Sequence, residues 1–523
     1  MPIIRLAELA PALTNLTCDV CIVGAGAAGI YLGTRLGEYG IRTILVEAGP
    51  KTSISAAQVG FIPIYRSERY GGVIEGRMFG LGGTTSRWGG QLFPYTTLDQ
   101  REPGHPYAES WKRITTDVEK QLATVLGVLG IPTSLFASDG VGDDLEPLNS
   151  ALMSVGLSLA ASVWLPFRQR NFRHLLAKKA TDSVTVLLEA VACNWATVGT
   201  QDKAAFVNDL QVIGPNGRRL EIHARQFVIA AGAIESARIL LELNSRYNNN
   251  LLPSDAAVGC YLSDHLSASV AAVRREDIET AALLFSPCFE HNFMRTVRIL
   301  APGTQYMRFP RFFAHFVFDR TDMAFDTAKA ALLALQMHKM PAITPKQIMH
   351  SLPGLWRFMW QRLVKRKLYV PLDTKVYLHI DFEQAPMRRN SVYLDTECDG
   401  YGRHRVILDW KISDEDYLNA SELSRMLLSH WAGAALNPLL PQFVISDSGV
   451  QSSKLYDTYH PVGTCMLGVH KEAVVSPKLA VRGTANLSVL STGIFPSAGT
   501  ANPTLSMLCY GELLAQHLRP LFK

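Results

Sequence analysis

No uninterrupted apolar run reaches the ~18 residues that a membrane-crossing helix needs. Charge of one sign is also scarce. The chain has 51 Lys and Arg against 46 Asp and Glu, a net +5, so nothing points to a nucleic-acid surface. Eight cysteines in 523 residues are too few for a disulfide scaffold. Two of them, Cys18 and Cys21, form a C-x-x-C inside strand-like text. Their side chains then leave opposite faces and cannot meet as a redox or metal pair. No metal site is expected. The N-terminus lacks a basic stretch followed by a long apolar one, so no secretory leader is expected and a reducing cytoplasm is the default compartment. Internal repeats and low-complexity linkers are missing too. An apolar fraction of 48% with 19% charged residues excludes bulk disorder. The length allows about three domain-sized units or two large lobes.

The first chemical signal is Gly24-Ala25-Gly26-Ala27-Ala28-Gly29. It lies between an apolar strand ending at Val23 and the helical text AAGIYLGTRLGEYG, with a second strand, TILVE, after it. This strand–turn–helix–strand order is that of a dinucleotide site. The first glycine permits the turn, the second admits a pyrophosphate, and the third lets helix and strand pack. The helix start offers unpaired N–H groups to the phosphates. Glu47 closes the second strand and is placed to accept bonds from ribose hydroxyls, with Ala48 beside it. The motif does not separate FAD from NAD. Six glycines then fall between Gly76 and Gly90, as expected for backbone that approaches a flat, bulky group.

Further strands are expected at Val184–Leu188, Phe227–Ala230 and Leu487–Leu490. Helices are expected over Pro106–Gly130, through AAGAIESARILLEL, over Met323–Lys367 and from about Pro503. Leu368–Asp409 is strand-rich. The expected fold class is α/β, α+β overall. A Rossmann-like lobe collects 15–95, 180–270 and 445–523. A substrate lobe built on a largely antiparallel sheet with helices takes 96–179 and 271–444.

Several segments together resemble the glucose-methanol-choline (GMC) oxidoreductases. They are Gly80–Gly90 (GLGGTTSRWGG), Val228–Leu241, Val258–His265 (VGCYLSDH), and Asp381–Asp409 with Glu383, Pro386, Asn390 and Val392. Tyr459–Gly468 (YHPVGTCMLG) and Phe495–Thr504 (FPSAGTANPT) complete the set, in the family's order. The resemblance implies an FAD enzyme that oxidises an alcohol CH–OH to a carbonyl. It implies cofactor contacts at Gly82, Gly83, Thr84, Ser86, Trp88, Gly89, Gly90, Ala192, Ala231, Gly232, Ser491, Pro503 and Thr504, besides the first glycine motif. Some relatives tether FAD through a His in the glycine-rich loop. This chain has no His between Gly60 and Gly104, so non-covalent FAD is expected. The family often carries Asp where Ser491 stands, which weakens that contact.

His460, before a Pro-x-Gly-Thr turn, matches the family's catalytic base. A neutral imidazole there takes the alcohol proton as hydride leaves for flavin N5, with a pH dependence near an ordinary imidazole pKa. Asn502 matches the partner position and is expected to bond the substrate oxygen. Pro503 opens the last helix, whose N-terminus the family directs at the flavin. His105 and His265 are expected to be structural. The substrate, whether a sugar, glycoside or more apolar alcohol, is not legible. Neither is the electron acceptor, O₂ or a quinone or cytochrome partner. A lyase retaining FAD, a non-catalytic flavoprotein and an NAD enzyme are the alternatives. Trp356 and Trp360, one helical turn apart, stand beside Arg357, Arg362, Lys365, Arg366 and Lys367. A core stripe with a solvated charged face is the expected arrangement, and a membrane-surface helix is the alternative.

Overall fold

The computed structural model describes residues 2–136, 145–179, 181–198, 204–320, 322–371, 373–444 and 455–522. The expected lobe boundaries at 180 and 445 lie outside the described residues. Two sheets dominate. The eight-stranded sheet has the order Ile3–Arg5, Val184–Leu188, Thr43–Glu47, Asn15–Val23, Arg219–Ile229, Phe206–Ile213, Val191–Val198, with Leu487–Val489 also pairing Arg219–Ile229. Its first five strands and Leu487–Val489 are parallel, and the last two are antiparallel. Thr43–Glu47 is buried at every position. A strand covered on both faces reads as an apolar run and not as an alternation.

Three helices belong with this sheet: Ala27–Glu38 packs against its strands, Gly232–Arg246 follows directly on Arg219–Ile229, and Pro503–Leu518 packs along Ala27–Glu38. The first and last are joined by Glu512, which accepts from Tyr31 Oη at 2.9 Å and from Arg35 Nε at 2.7 Å. Ala108–Leu129, on the stretch that the sequence assigns to the substrate lobe, packs along Pro503–Leu518. Cys18 and Cys21 are free and buried in Asn15–Val23.

The nine-stranded sheet is antiparallel at every pairing. Its path is Phe443–Val444, His265–Val273, Lys375–Glu383, Phe312–Asp319, Phe293–Leu300, Ser158–Trp164, Gln91–Leu92. One continuous apolar core runs through both sheets.

The helical stretch 323–367 divides into Met323–Gln336 and Pro345–Trp360, the second continued by a wide turn at Gln361–Lys365. Thr344 caps the second helix, its side chain accepting from Gln347 N. Here the expected core stripe is wrong. Trp356 is 72% exposed and Trp360 47%. The helix faces its neighbour through the small residues Ser351 and Gly354 and through Phe358, which lies against Phe325. Ser351 bonds Thr327 at 3.0 Å, and Gly354 sits so near Ala324 that a Cβ would come within 2.5 Å. Among the described residues no helix is long and apolar enough to cross a membrane.

Candidate functional site

At the carboxyl ends of the parallel strands lies a cleft of about 1310 Å³, including its open mouth. This is the end at which ligands bind in open α/β sheets. Gly24, Gly26, Ala28, Glu47, Ala48, Gly83, Thr84, Trp88, Ala192, Ala231, Gly232, Ser491 and Thr504 line it. Gly24 takes φ +112°, and a Cβ there would meet the Ala230 carbonyl at 2.5 Å. Nothing stands within 4 Å of the position a Gly26 Cβ would take, so the second glycine leaves open space at the start of Ala27–Glu38. That is the room a pyrophosphate needs against helix N–H groups.

Other expected contacts are displaced from the cleft wall, each for a packing reason. Gly29 is held against its own loop, where a Cβ would fall 1.9 Å from the Gly24 carbonyl. Gly82, Gly89 and Gly90 pack against Asn171, Trp164 and Arg170. Ser86 is buried. Pro503 is buried as the first residue of the last helix, which presents Thr504 and Met507 to the cleft instead. Glu47 does more than the sequence suggests. Its carboxylate accepts from the backbone N–H of Ala25 at 2.8 Å, of Gly49 at 2.9 Å and of Gly80 at 2.9 Å. Of about four acceptor sites, one remains for a ribose hydroxyl. Glu47 therefore clamps the first glycine turn to the glycine-rich loop, and burial raises its pKa.

Two observations fit the cleft to a flavin dinucleotide. Ser491 lines it with a buried Oγ that has no hydrogen-bond partner, an atom poised for a ligand. The glycine-rich loop closes over the first glycine turn, with Gly83 so near Gly26 Cα that a Cβ would lie at 2.9 Å. A third feature carries no sequence motif. Arg77, Arg238 and Arg403 surround Glu235 on the cleft wall at 3.2, 2.8 and 3.7 Å. Buried though it is, Glu235 is held down at about 2, the three guanidiniums outweighing its desolvation.

Tyr459 and Pro461 line the same cleft and carry His460 between them. Tyr459 has φ +67°, a strained value for a bulky side chain. Asp264 holds this turn, accepting the His460 backbone N–H at 2.8 Å and the Tyr70 hydroxyl. Burial, with Asp457 nearby, pushes Asp264 up to about 8. The imidazoles of His460 and His265 meet through their Nδ1 atoms at 3.1 Å, and His265 Nε2 faces the Gly499 carbonyl at 2.9 Å. A carbonyl only accepts, so His265 Nε2 carries its proton and its Nδ1 is the acceptor. Thr458 Oγ1 also stands 3.1 Å from His460 Nδ1, and its own proton goes to Asp264 Oδ1 at 3.3 Å; His460 Nδ1 is then the donor, which leaves the Nε2 lone pair of His460 without a partner among the described residues. Burial, reinforced by His265, lowers the His460 pKa to about 3. The direction of this shift favours the neutral imidazole that a proton acceptor requires.

Asn502 is 7% exposed. Its Oδ1 accepts from the guanidinium of Arg298, and its backbone N–H donates to the Phe93 carbonyl at 3.1 Å. Its Nδ2 has no partner among the described residues. Arg298, itself buried, also donates to the Thr500 carbonyl at 3.0 Å and lies 3.8 Å above the Phe313 ring. The loop before Asn502 is pinned by two carboxylates. Glu383 accepts from Ser497 Oγ at 2.6 Å and from Gly499 N at 3.2 Å, and Asp99 accepts from Thr500 N at 2.6 Å. His265 and Arg298 were not identified as site residues from the sequence. His265 was legible only as part of VGCYLSDH, and Arg298 carried no motif at all.

Residues 386–511 match the GMC oxidoreductase C-terminal model, and residues 17–59 match an FAD-binding domain. Over these segments, together under a third of its length, the chain is similar to the GMC oxidoreductases. Its cofactor is FAD. Choline oxidase of Arthrobacter globiformis is 26% identical over 143 residues, 27% of this chain and 24% of that protein. An alcohol dehydrogenase [acceptor] of Pseudomonas putida is 45% identical over 64 residues, 12% of each chain. The aligned stretches therefore span a quarter or less of these relatives. Over the whole fold, pyridoxine 4-oxidase from Mesorbium loti superposes with TM-score 0.55 at 18% identity, covering 96% of this chain and 99% of that one. A formate oxidase from Aspergillus oryzae superposes with TM-score 0.57 at 15% identity, covering 98% and 99%.

Proposed function

We propose that this protein oxidises an alcohol CH–OH to the carbonyl, with His460 as the proton acceptor and Asn502 as the group that orients the substrate oxygen. The observation that carries the reading is the hydrogen-bond relay from the Gly499 carbonyl through His265 to His460. It fixes the tautomer that leaves Nε2 free, on a turn whose two neighbours line the FAD cleft. FAD, held by the first glycine turn, Glu47, Gly83, Ala192, Gly232, Ser491 and Thr504, supplies the hydride acceptor when bound. A base that is already neutral needs no prior deprotonation to take the hydroxyl proton. Asn502, its Oδ1 engaged by Arg298, has its Nδ2 to donate. A donor aimed at the substrate oxygen strengthens as that oxygen gains negative charge, so its effect falls mainly on the transition state.

Asn502 has no exchangeable proton near neutral pH, which makes His460 the sole base of the pair. The glycine-rich loop has no His between Gly60 and Gly104, which supports non-covalent FAD. The partition into a dinucleotide lobe of 15–95, 180–270 and 445–523 and a substrate lobe from the rest belongs to the same proposal. The choline and alcohol chemistry in the relatives' names makes small primary alcohols the first substrates to try. Anaerobic mixing with a panel of alcohols, followed at the flavin band, is the test. Bleaching by at least one alcohol is expected, and reoxidation with O₂ or a quinone identifies the acceptor. A flavin that no alcohol reduces overturns the reading.

A further inference from the structure

The helical hairpin Met323–Gln336 and Pro345–Trp360 is the least core-like part of the molecule, although its sequence is strongly apolar. In the second helix only Ser351 is buried. Ile348, Leu352, Trp356, Met359, Trp360 and Leu363 are 46%, 55%, 72%, 53%, 47% and 71% exposed. Their spacing, i, i+4, i+8, i+11, i+12, i+15, is that of one face of a helix. The apolar stripe thus looks outward, the reverse of what burial demands of an ordinary surface helix. An exposed apolar patch of this kind marks an interaction surface.

Charge decides what covers it. Between Asp326 and Asp373 the sequence contains no Asp or Glu, and it contains Lys329, Lys339, Lys346, Arg357, Arg362, Lys365, Arg366 and Lys367. A second copy would set two such cationic segments side by side, and like charges across an interface oppose association. A surface that is negative outside and apolar just beneath it matches both properties. We infer that this hairpin docks the protein on an anionic lipid bilayer, lying in the headgroup plane with Trp356 and Trp360 in the interfacial layer. Trp favours that layer because its ring is apolar and its N–H is polar. Polybasic segments gain from the negative surface potential while within a screening length of it. Too little of the hairpin is apolar all round to cross the membrane, so it lies on the surface and does not span.

The hairpin is also tied to the cofactor loop. Gln336, at the end of its first helix, donates from Nε2 to the carbonyls of Thr85 at 3.1 Å and Trp88 at 2.8 Å. Asn171 donates to the Gln336 carbonyl at 3.1 Å. The element that meets lipid and the loop that closes over FAD are therefore hydrogen-bonded to each other.

The test uses the full FAD-loaded protein and flotation with vesicles of phosphatidylcholine alone or with roughly a quarter phosphatidylglycerol. We expect flotation with the anionic vesicles, little with the neutral ones, and a blue shift of Trp emission on binding. Release is expected at about 1 M salt, where screening acts over ~3 Å. Arg362→Glu with Lys365→Glu should weaken partitioning about 10-fold or more. Trp356→Ser with Leu363→Ser should abolish the blue shift. Both variants alter exposed side chains, so FAD content and the flavin spectrum should match the parent and show that each has folded. Failure to float with anionic vesicles overturns the proposal. So does equal flotation on neutral vesicles, or a concentration-dependent dimer that shields Trp356 without lipid.

Discussion

The dinucleotide wall of the cleft and the catalytic wall, which adjoins it through Tyr459 and Pro461, are built from different materials. The first is made largely of backbone: Gly24, Gly26, Gly83 and Gly232, a helix start, and Glu47 clamping three N–H groups. The second is made of side chains held by other side chains, the His460 ring by His265 and Asn502 by Arg298, with Asp264 holding the His460 backbone N–H. A backbone cradle demands particular residue types at fixed spacing, because only glycine tolerates the required φ and closeness. A side-chain relay demands only that distant strands arrive in register. His265 and Arg298 stand on strands of the antiparallel sheet, while His460 and Asn502 come from the C-terminal segment. The two walls should therefore fail in different ways, the first by losing FAD and the second by losing rate with FAD retained.

The largest effect expected is on the catalytic wall. His460→Ala should slow flavin reduction by about 10²–10⁴ in anaerobic stopped flow, with full FAD content. A parental rate with alcohol bound would remove His460 from the chemistry. Asn502→Ala should follow with a loss of about 10–10³. Arg298→Met should fall in the same range if it acts through Asn502, and the double variant should then lose no more than the worse single one. Additive losses would mean that Arg298 works independently of Asn502.

The dinucleotide wall is broken by Glu47→Ala. Freeing three buried N–H donors should weaken FAD binding by about 1.5–3 kcal/mol, read by titrating apoprotein with FAD. The reduction rate of the flavin that remains bound should stay near parental, and a collapse of that rate would mean the walls are not separable. The smallest effect expected is that of pH. Because burial beside His265 lowers His460 to about 3, its protonated form is scarce well below the ordinary imidazole value of ~6.5. Flavin reduction should hence be flat around neutrality and fall only in acid. A step near the ordinary value, absent in His460→Ala, would show that the pair is more solvated than its packing indicates.

By itself the sequence determined the strand–turn–helix order around Gly24–Gly29, the strand Val184–Leu188, the last helix from Pro503 and the placement of His460 and Asn502 on loops. These follow from local rules: glycine where the backbone must turn or approach, apolar runs where a strand is covered on both faces, and proline at a helix start. Tertiary structure decided the rest. It set Gly82, Gly89 and Gly90 against Asn171, Trp164 and Arg170, and a glycine required by a neighbour looks no different in sequence from one required by a ligand. It made His265 the group that sets the His460 tautomer, through a carbonyl 234 residues away in the chain. And it turned Trp356 and Trp360 outward. Helical periodicity defines an apolar face but not what that face meets, and here the inward contacts went to Ser351 and Gly354, whose small side chains allow the neighbouring helix to come close.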